Sequence, residues 1–584
     1  MPYLTSENGA KWLVVCGVLM IVRGAPHAIH LRENIKTGRI RVADNYDQYS
    51  KDELLRLLRE RDRKPKFGLV WERNEIEHDK SLNDDFVALD LDPGLSCGDA
   101  PYENLIIEGD NFDALRYLRM THAGRVNCIY IDPPYNTGNS DFIYNDRFVD
   151  KDDVYRHSKW LEFMYRRLTL AKDLLADNGV IFVSIDDNEM LHLGMLMDQV
   201  FGEANRVATC IWQKRYSREN RGAIGDTHEY LLIYAINPEI FKVRRNKLPL
   251  GEKQLSVYKN PNNDPNGLWR AVALSAQGYR PNQMYEIITP SGKPHRPPEG
   301  SCWKVIEPQY QRLLAENKIY FGKKGDAVPS RIQYLKDIEG ITPWTWWPHE
   351  EVGHTDEAKK EIQSIFGTQT AFDTPKPVRL IERIMRIATK PGDLVLDFFA
   401  GSGTTAHALM KLNAEDGGNR RYILVSSTEA TGDAPNKNLC RDVCAERVRR
   451  VAQGYDNKKG EIVEGLGGSF AYLTTRRIPV SRVFNDIQHE QVWRALQLIH
   501  GVPLAGYNEG VLVQWAGNAD DRLIYVPKLS ESVLEEVARQ AGLGGRLVVY
   551  SWQPGQIRQR VEAPNVAFER IPEFLMSRFG GMAR

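Results

Sequence analysis

The sequence has no surplus of charge of either sign: 77 Lys and Arg stand against 77 Asp and Glu. That balance excludes a chain coated throughout for a polyanion, so any nucleic-acid surface has to be a local patch. Cysteine is scarce. The seven residues (Cys16, Cys97, Cys128, Cys210, Cys302, Cys440, Cys444) are scattered, odd in number and without paired metal spacing. This excludes a disulfide scaffold and points to reduced thiols in a reducing compartment. Cys440 and Cys444 share one face of a predicted helix and read as core or surface residues, and no metal site is expected. Long apolar runs are also missing. Trp12 to Val22 falls short of the roughly 20 residues that span hydrocarbon. No basic cluster precedes that run and no convincing cleavage site follows it, so the expectation is a cytoplasmic protein with no membrane partner. Internal repeats and low-complexity tracts are absent, which leaves out repeat architectures.

What is present is length and an α/β rhythm. The 584 residues are too many for one compact core, and a prior of about 150 residues per domain suggests three or four. Ser50 to Arg63 reads as a short amphipathic helix carrying Leu54, Leu57 and Leu58 on one stripe. Glu75 to Tyr102, acidic and rich in Asp, Pro and Gly, reads as an ordered loop or linker. Strand and helix then alternate: Leu105-Ile106-Ile107, a helix from Asn111, the buried strand Val126 to Ile131, a helix from about Val154 to Leu175, the strand Val180 to Ile185 and a helix near Glu189 to Val200. From about Arg206 to Thr370 the rhythm stops in a stretch rich in Pro, Gly, Trp and basic residues. It resumes with the strand Leu394 to Asp397, the helix Thr404 to Asn413, the strand Tyr422 to Val425 and the helix Asn438 to Val451. One parallel sheet, covered on both faces, is written in two pieces. The expected divisions are 1–65 (arm and short helix), 66–205 (core, first part), 206–370 (insert), 371–465 (core, second part) and 466–584 (a small C-terminal α/β domain).

Two constellations carry chemistry. Asp132-Pro133-Pro134-Tyr135 directly follows a buried strand, and ligands of parallel sheets bind beyond the carboxyl ends of strands. Two prolines fix φ and remove two donors, leaving a stiff turn that presents carbonyls. Asp132 and the Pro133 carbonyl can accept the two hydrogens of an exocyclic amino group, while Tyr135 stacks on a flat base. The plainer alternative is a strand-to-loop turn in which Asp caps a helix. The second constellation is Asp397-Phe398-Phe399-Ala400-Gly401-Ser402-Gly403-Thr404, a strand, a glycine turn and a helix start. Glycines let the backbone approach a ligand, and free amides at the helix start favour an anionic group. Ala406 stands where a third glycine would complete a dinucleotide loop, which leaves a nicotinamide site open on this motif alone.

In combination these residues resemble the β-group amino-methyltransferases, and among them the modification (Mod) subunits of type III restriction-modification systems. The likeness runs through Asp132 to Asp146, Trp160-Leu161, Leu174 to Glu189, Thr374 to Pro377 and Val395 to His407, and extends over roughly Ser50 to Arg450. It implies a Rossmann-like sheet in permuted order, with a target-recognition region between the two motifs. Asp132, Pro133, Pro134 and Tyr135 would form the pocket for the base amino group. Asp110, Lys376, Asp397, Phe399, Gly401, Ser402, Gly403, Thr404 and Glu429 would hold S-adenosylmethionine, with Lys376 completing the methionine pocket and Glu429 standing in for the ribose-binding acid. The implied reaction is direct in-line methyl transfer to adenine N6 of a flipped base, with no metal. Double-stranded DNA is the expected partner, with a homodimer and a restriction subunit as further ones. Basic and aromatic residues from Arg206 to Arg296, led by Lys214, Arg215, Arg218 and Arg221, read as DNA contacts against the alternative of a solvated face. An N4-cytosine or RNA methyltransferase, a catalytically silent DNA-binding subunit and a nicotinamide oxidoreductase are the competing readings.

Overall fold

The computed structural model describes residues 4–5, 11–15, 18–22, 69–73, 76, 82–138, 142–144, 147–217, 223–367, 372–431 and 434–580. The chain divides into two compact units, Met1–Phe67 and Gly68–Arg584. In the first, strands Leu4–Thr5, Lys11–Val15 and Val18–Val22 pair antiparallel. The helix read at Ser50 to Arg63 lies outside the described residues. None of the described helices is long and apolar enough to cross a membrane.

The second unit is organised on a ten-stranded sheet. Its strands in chain order are β1 (Phe86–Cys97), β2 (Leu105–Glu108), β3 (Val126–Ile131), β4 (Leu175–Ile185), β5 (Arg206–Gln213), β6 (His228–Ala235), β7 (Trp346–Trp347), β8 (Leu394–Asp397), β9 (Arg421–Ser426) and β10 (Phe470–Ile478). They lie in the order β7-β5-β6-β4-β3-β8-β9-β2-β10-β1. From β4 to β10 all neighbours are parallel, while β6 and β1 run the other way. The decisive pairing is β3 with β8, where Cys128 lies opposite Val395 and Ile129 opposite Leu396. It joins the two pieces of the written sheet at its centre.

Helices cover both faces: α1 (Asn111–His122), α2 (Arg156–Leu174) and α3 (Met190–Phe201) on one, α4 (Thr355–Phe366), α5 (Val378–Ala388), α6 (Thr404–Asp416) and α7 (Glu446–Gln453) on the other. Alternation along the strands sorts the core. Ile129, Ile131, Leu396 and Ile423 pack with Leu115, Leu118, Trp160 and Met164. Cys128, Tyr130, Val395 and Leu424 pack with Ile381, Ile384 and Leu409. Double coverage is why these strands read as almost unbroken apolar runs.

Three expectations are corrected. The segment 75–102, read as loop or linker, contains the strand β1, paired with β10. Asp90, Asp92, Pro93 and Gly94 hid it, and an edge strand tolerates these residues because one side of it makes no ladder. The insert drawn at 206–370 begins inside the sheet, since β5 and β6 pair with each other and β6 pairs with β4. Beyond them, the stretch rich in Pro, Gly and Trp folds into small sheets, one of them formed by Trp269–Ala273, Ser330–Tyr334 and Ile319–Tyr320, with one small core around Trp303 and Tyr310 and another around Trp269 and Ile332. The first strand after residue 466, β10, likewise belongs to the main sheet.

The chain then forms α8 (His489–His500), packed on α1, and a four-stranded sheet of β11 (Gln514–Gly517), β12 (Asp521–Val526), β13 (Arg546–Ser551) and β14 (Val566–Arg570). One face of that sheet, with Leu523, Tyr525, Val548 and Tyr550, joins the core beneath α1.

Because Ile129 and Leu396 are fully buried at the β3–β8 seam, Ile129→Ala should destabilise the protein by about 2–5 kcal/mol. Chemical denaturation measures this, and a loss below about 1 kcal/mol would contradict the seam's place in the core.

Candidate active site

Parallel pairing brings Asp132, after β3, and the turn Phe398–Gly403, after β8, to the same carboxyl edge of the sheet. Asp132-Pro133-Pro134-Tyr135 is gripped from behind: Trp160 Nε1 donates to the Pro134 carbonyl at 2.7 Å. The next residue, Asn136, is fully buried with φ of 57°. It donates to Glu189 Oε1 at 2.5 Å and to the Arg156 carbonyl at 3.3 Å. Glu189, itself buried, is also flanked by His157 Nδ1 at 2.6 Å and His192 Nδ1 at 2.8 Å. Among the described residues this His-Glu-His group is the one arrangement compatible with a metal ion. Its distances are those of hydrogen bonds between the rings and the carboxylate.

At the mouth of the turn is a charged cluster. Lys376 Nζ donates to both Asp132 oxygens at 2.8 and 2.7 Å and approaches the Tyr135 hydroxyl at 2.9 Å. That hydroxyl also lies 2.9 Å from Asp132 Oδ1 and 2.9 Å from Glu229 Oε2. Lys376 and Glu229 are nearly buried, at 9% and 11% side-chain exposure, while Asp132 keeps 24% open. Burial pushes the Asp132 carboxyl above its usual range, with Lys376 opposing that shift. Burial disfavours the charge on Lys376, yet Asp132 and Glu229 hold it above the ordinary lysine value.

Glu229 is the residue that sequence reasoning missed. It stands 94 residues from Tyr135, and nothing in its local motif marks it. It reaches the working edge because β6 runs antiparallel to β4, so that the beginning of β6 lies at the carboxyl end of its neighbour.

The glycine turn is ordered by Asp397, which accepts from the Phe399 amide at 3.0 Å and from Thr405 Oγ1 at 2.5 Å. Burial raises this carboxyl to about 7. Gly401 and Gly403 have φ of 50° and 75°, which L side chains rarely adopt. A Cβ at Gly403 would lie 3.1 Å from the Cys444 carbonyl oxygen, and one at Gly401 3.2 Å from Phe372. Ser402 and Thr404 turn their hydroxyls inward to Arg447, at 3.0 and 2.7 Å, so only their backbones remain for a ligand. Arg447 is a buried brace that the sequence did not disclose. Beside the turn, Asp110 caps α1 through the Phe112 amide at 2.8 Å and meets Arg167 at 3.3 Å. Phe399 packs near Phe163, with ring centroids 6.0 Å apart.

The other expected residues lie as follows. Glu429 follows β9 with φ of 53° and pairs with Lys437 at 2.8 Å. Lys376, expected at the methionine pocket, stands on Asp132. Lys214, expected on DNA, is buried between Asp226 at 2.8 Å and Glu229 at 3.4 Å, because it directly follows β5 beside the start of β6. Arg215 is exposed, and Arg218 and Arg221 lie outside the described residues. Tyr216 is exposed, whereas Trp212 and Trp269 are buried in cores.

A family model described as DNA methylase matches residues 126–430, just over half of the chain and inclusive of both motifs. The chain belongs to the DNA methylase family. Within it, the chain is 38% identical over 387 residues to the type III restriction-modification enzyme StyLTI Mod subunit of Salmonella typhimurium, covering 60% of this chain and 57% of that one. To the EcoPI Mod subunit of Escherichia phage P1 it is 34% identical over 394 residues, covering 57% of this chain and 59% of that one. To the type II methyltransferase M.KpnI of Klebsiella pneumoniae it is 33% identical over 342 residues, covering 55% of this chain and 79% of that one. The chain thus spans under two thirds of the length of the Mod subunits it matches.

The raised Asp397 carboxyl predicts a pH signature. A group whose native value, about 7, exceeds its unfolded value of 3.8 costs stability as pH rises through that window. Asp397→Asn should therefore gain on the wild type in thermal stability between pH 4 and pH 7, and a difference independent of pH would contradict the buried, desolvated carboxyl.

Proposed function

We propose that this chain is a DNA methyltransferase that transfers a methyl group from S-adenosylmethionine to adenine N6, working as the modification subunit of a type III restriction-modification system. The observation that carries the reading is the meeting of the Asp132 turn and the Gly401 turn on adjacent parallel strands. The type III Mod subunits among its relatives support the finer assignment, including a separate restriction subunit as partner.

The glycine turn fits the cofactor. Glycine closes the turn at 401 and 403, where a Cβ would press on Phe372 or on Cys444, and Asp397 stiffens it through the Phe399 amide. Phe399, Gly401, Gly403 and Asp110 would line this part of the site, with Glu429 toward the ribose. When bound, S-adenosylmethionine supplies an electrophilic methyl group. The chain's own work falls on the base. An adenine amino group is a poor nucleophile because its lone pair is delocalised into the ring. Acceptance of its two hydrogens by the Asp132 carboxylate and the Pro133 carbonyl favours a pyramidal nitrogen aligned for in-line attack. Tyr135 stacks on the ring, and the rigid prolines fix both acceptors beforehand. The base has to leave the duplex, at a cost of about a few kcal/mol. Arg215 and the insert between the motifs would supply phosphate and base-edge contacts.

Asp132→Ala is expected to abolish methyl transfer to DNA while cofactor affinity, read by calorimetry, stays within a few-fold; retained turnover would sink the assignment. Chromatography of digested DNA from cells expressing the chain should show N6-methyladenine. N4-methylcytosine in its place would move the chain to the cytosine branch.

A further inference from the structure

The cluster at Asp132 contains more than a base acceptor requires, and its hydrogen bonds can be counted. Lys376 carries three protons, and its three short contacts go to Asp132 Oδ1, Asp132 Oδ2 and the Tyr135 oxygen. Its distance to Glu229 is longer, 3.6 Å. The Tyr135 hydroxyl has one proton, yet it lies 2.9 Å from an oxygen of Asp132 and 2.9 Å from an oxygen of Glu229. With both carboxylates ionised, one of those contacts would set a lone pair against a lone pair. The hydroxyl therefore gives its proton to one of the two carboxylates only. Lys376 decides which one: it gives Asp132 two charge-assisted bonds and Glu229 none of comparable length, so the Tyr135 proton goes to Glu229.

We infer that Lys376 and Glu229 are positioning residues of the base pocket: Lys376 keeps Asp132 ionised and aimed, and Glu229 holds the Tyr135 hydroxyl in the orientation that serves the base. This rests on the methyltransferase reading and removes Lys376 from the cofactor's pocket. The charged and titratable groups around Asp132 are Lys376 from the segment before α5, Glu229 from β6, Tyr130 and Tyr135 on its own strand and turn, and Asp397 from β8. Lys214 and Asp226 stand behind Glu229. Among the described residues, Lys376 is thus the one cation that faces Asp132 directly. Burial already pushes the Asp132 carboxyl upward, so removal of that cation moves its titration further in the same direction.

The test is the pH dependence of single-turnover methyl transfer by the full chain. It is paired with the 13C carboxyl titration of Asp132 in aspartate-labelled protein, assigned by Asp132→Asn, which reads ionisation whether or not turnover occurs. In Lys376→Met, the acidic limb and the carboxyl titration should both move upward by about one to three pH units. Lys376→Arg should stay near the wild type, and cofactor affinity should hold in both variants. Glu229→Gln, whose amide oxygen still accepts from the Tyr135 hydroxyl, should keep turnover within about threefold of the wild type, while Glu229→Ala should lose about tenfold or more in kcat with cofactor affinity intact. An unmoved Asp132 titration in Lys376→Met, with weakened cofactor binding, would return Lys376 to the cofactor pocket and overturn the proposal. Glu229→Ala keeping turnover within about threefold of the wild type would show that Glu229 does not hold Tyr135 and overturn its positioning role. A wild type without turnover would contradict the methyltransferase reading alone, since the Asp132 titration in Lys376→Met still decides the role of Lys376.

Discussion

The architecture depends on one strand pairing. β3 and β8 are separated in sequence by the helices α2 to α5, four strands of the main sheet and the small-sheet insert, yet they lie side by side and parallel at the centre of the sheet. Parallel neighbours end on the same side. A polar turn after each strand is therefore delivered to the same edge, and the two turns need no further device to face each other. The insert pays nothing for its length in this scheme: it leaves and re-enters the sheet without disturbing the seam.

The edge is electrostatically expensive, and the chain meets that cost with specific partners. Asp132, Glu229, Asp397 and Lys376 are largely removed from water. Isolated charges there would be strongly penalised, so each is enclosed by donors or by an opposite charge. Asp397 has an amide and a hydroxyl, Asp132 has Lys376 and Tyr135, and Arg447 braces the glycine turn through two hydroxyls. Asn136, held at positive φ by Glu189, fixes the end of the Asp-Pro-Pro-Tyr turn. Rigid first contacts backed by buried partners are what a site needs if it is to hold a flat, weakly nucleophilic group in one orientation.

Both chemical turns, and the strands and helices around them, were legible because the signals are local: apolar runs of strand length, a Pro-Pro turn, glycines at a helix start. Helix α6 begins at Thr404, as read, and β3 spans Val126–Ile131, as read. What escaped was non-local or masked by composition. Glu229 and Lys376 acquire their neighbours only when β6 pairs with β4 and when the Thr374–Pro377 segment folds over the turn; no spacing encodes that. β1 was hidden by Pro93 and Gly94, which signal loops unless the strand lies at an edge. Lys214 looked like a DNA contact because a basic residue in a basic stretch carries no mark of the two carboxylates that bury it.

The central claim is that the two distant turns form one pocket around a shared ligand. Photocrosslinking of methyl-tritiated S-adenosylmethionine to the full chain, followed by peptide mapping, addresses it most directly. The account predicts label in the peptides containing Asp132–Tyr135 and Phe399–Gly403, competed away by unlabelled cofactor. Competable label confined to peptides remote from both turns would contradict it.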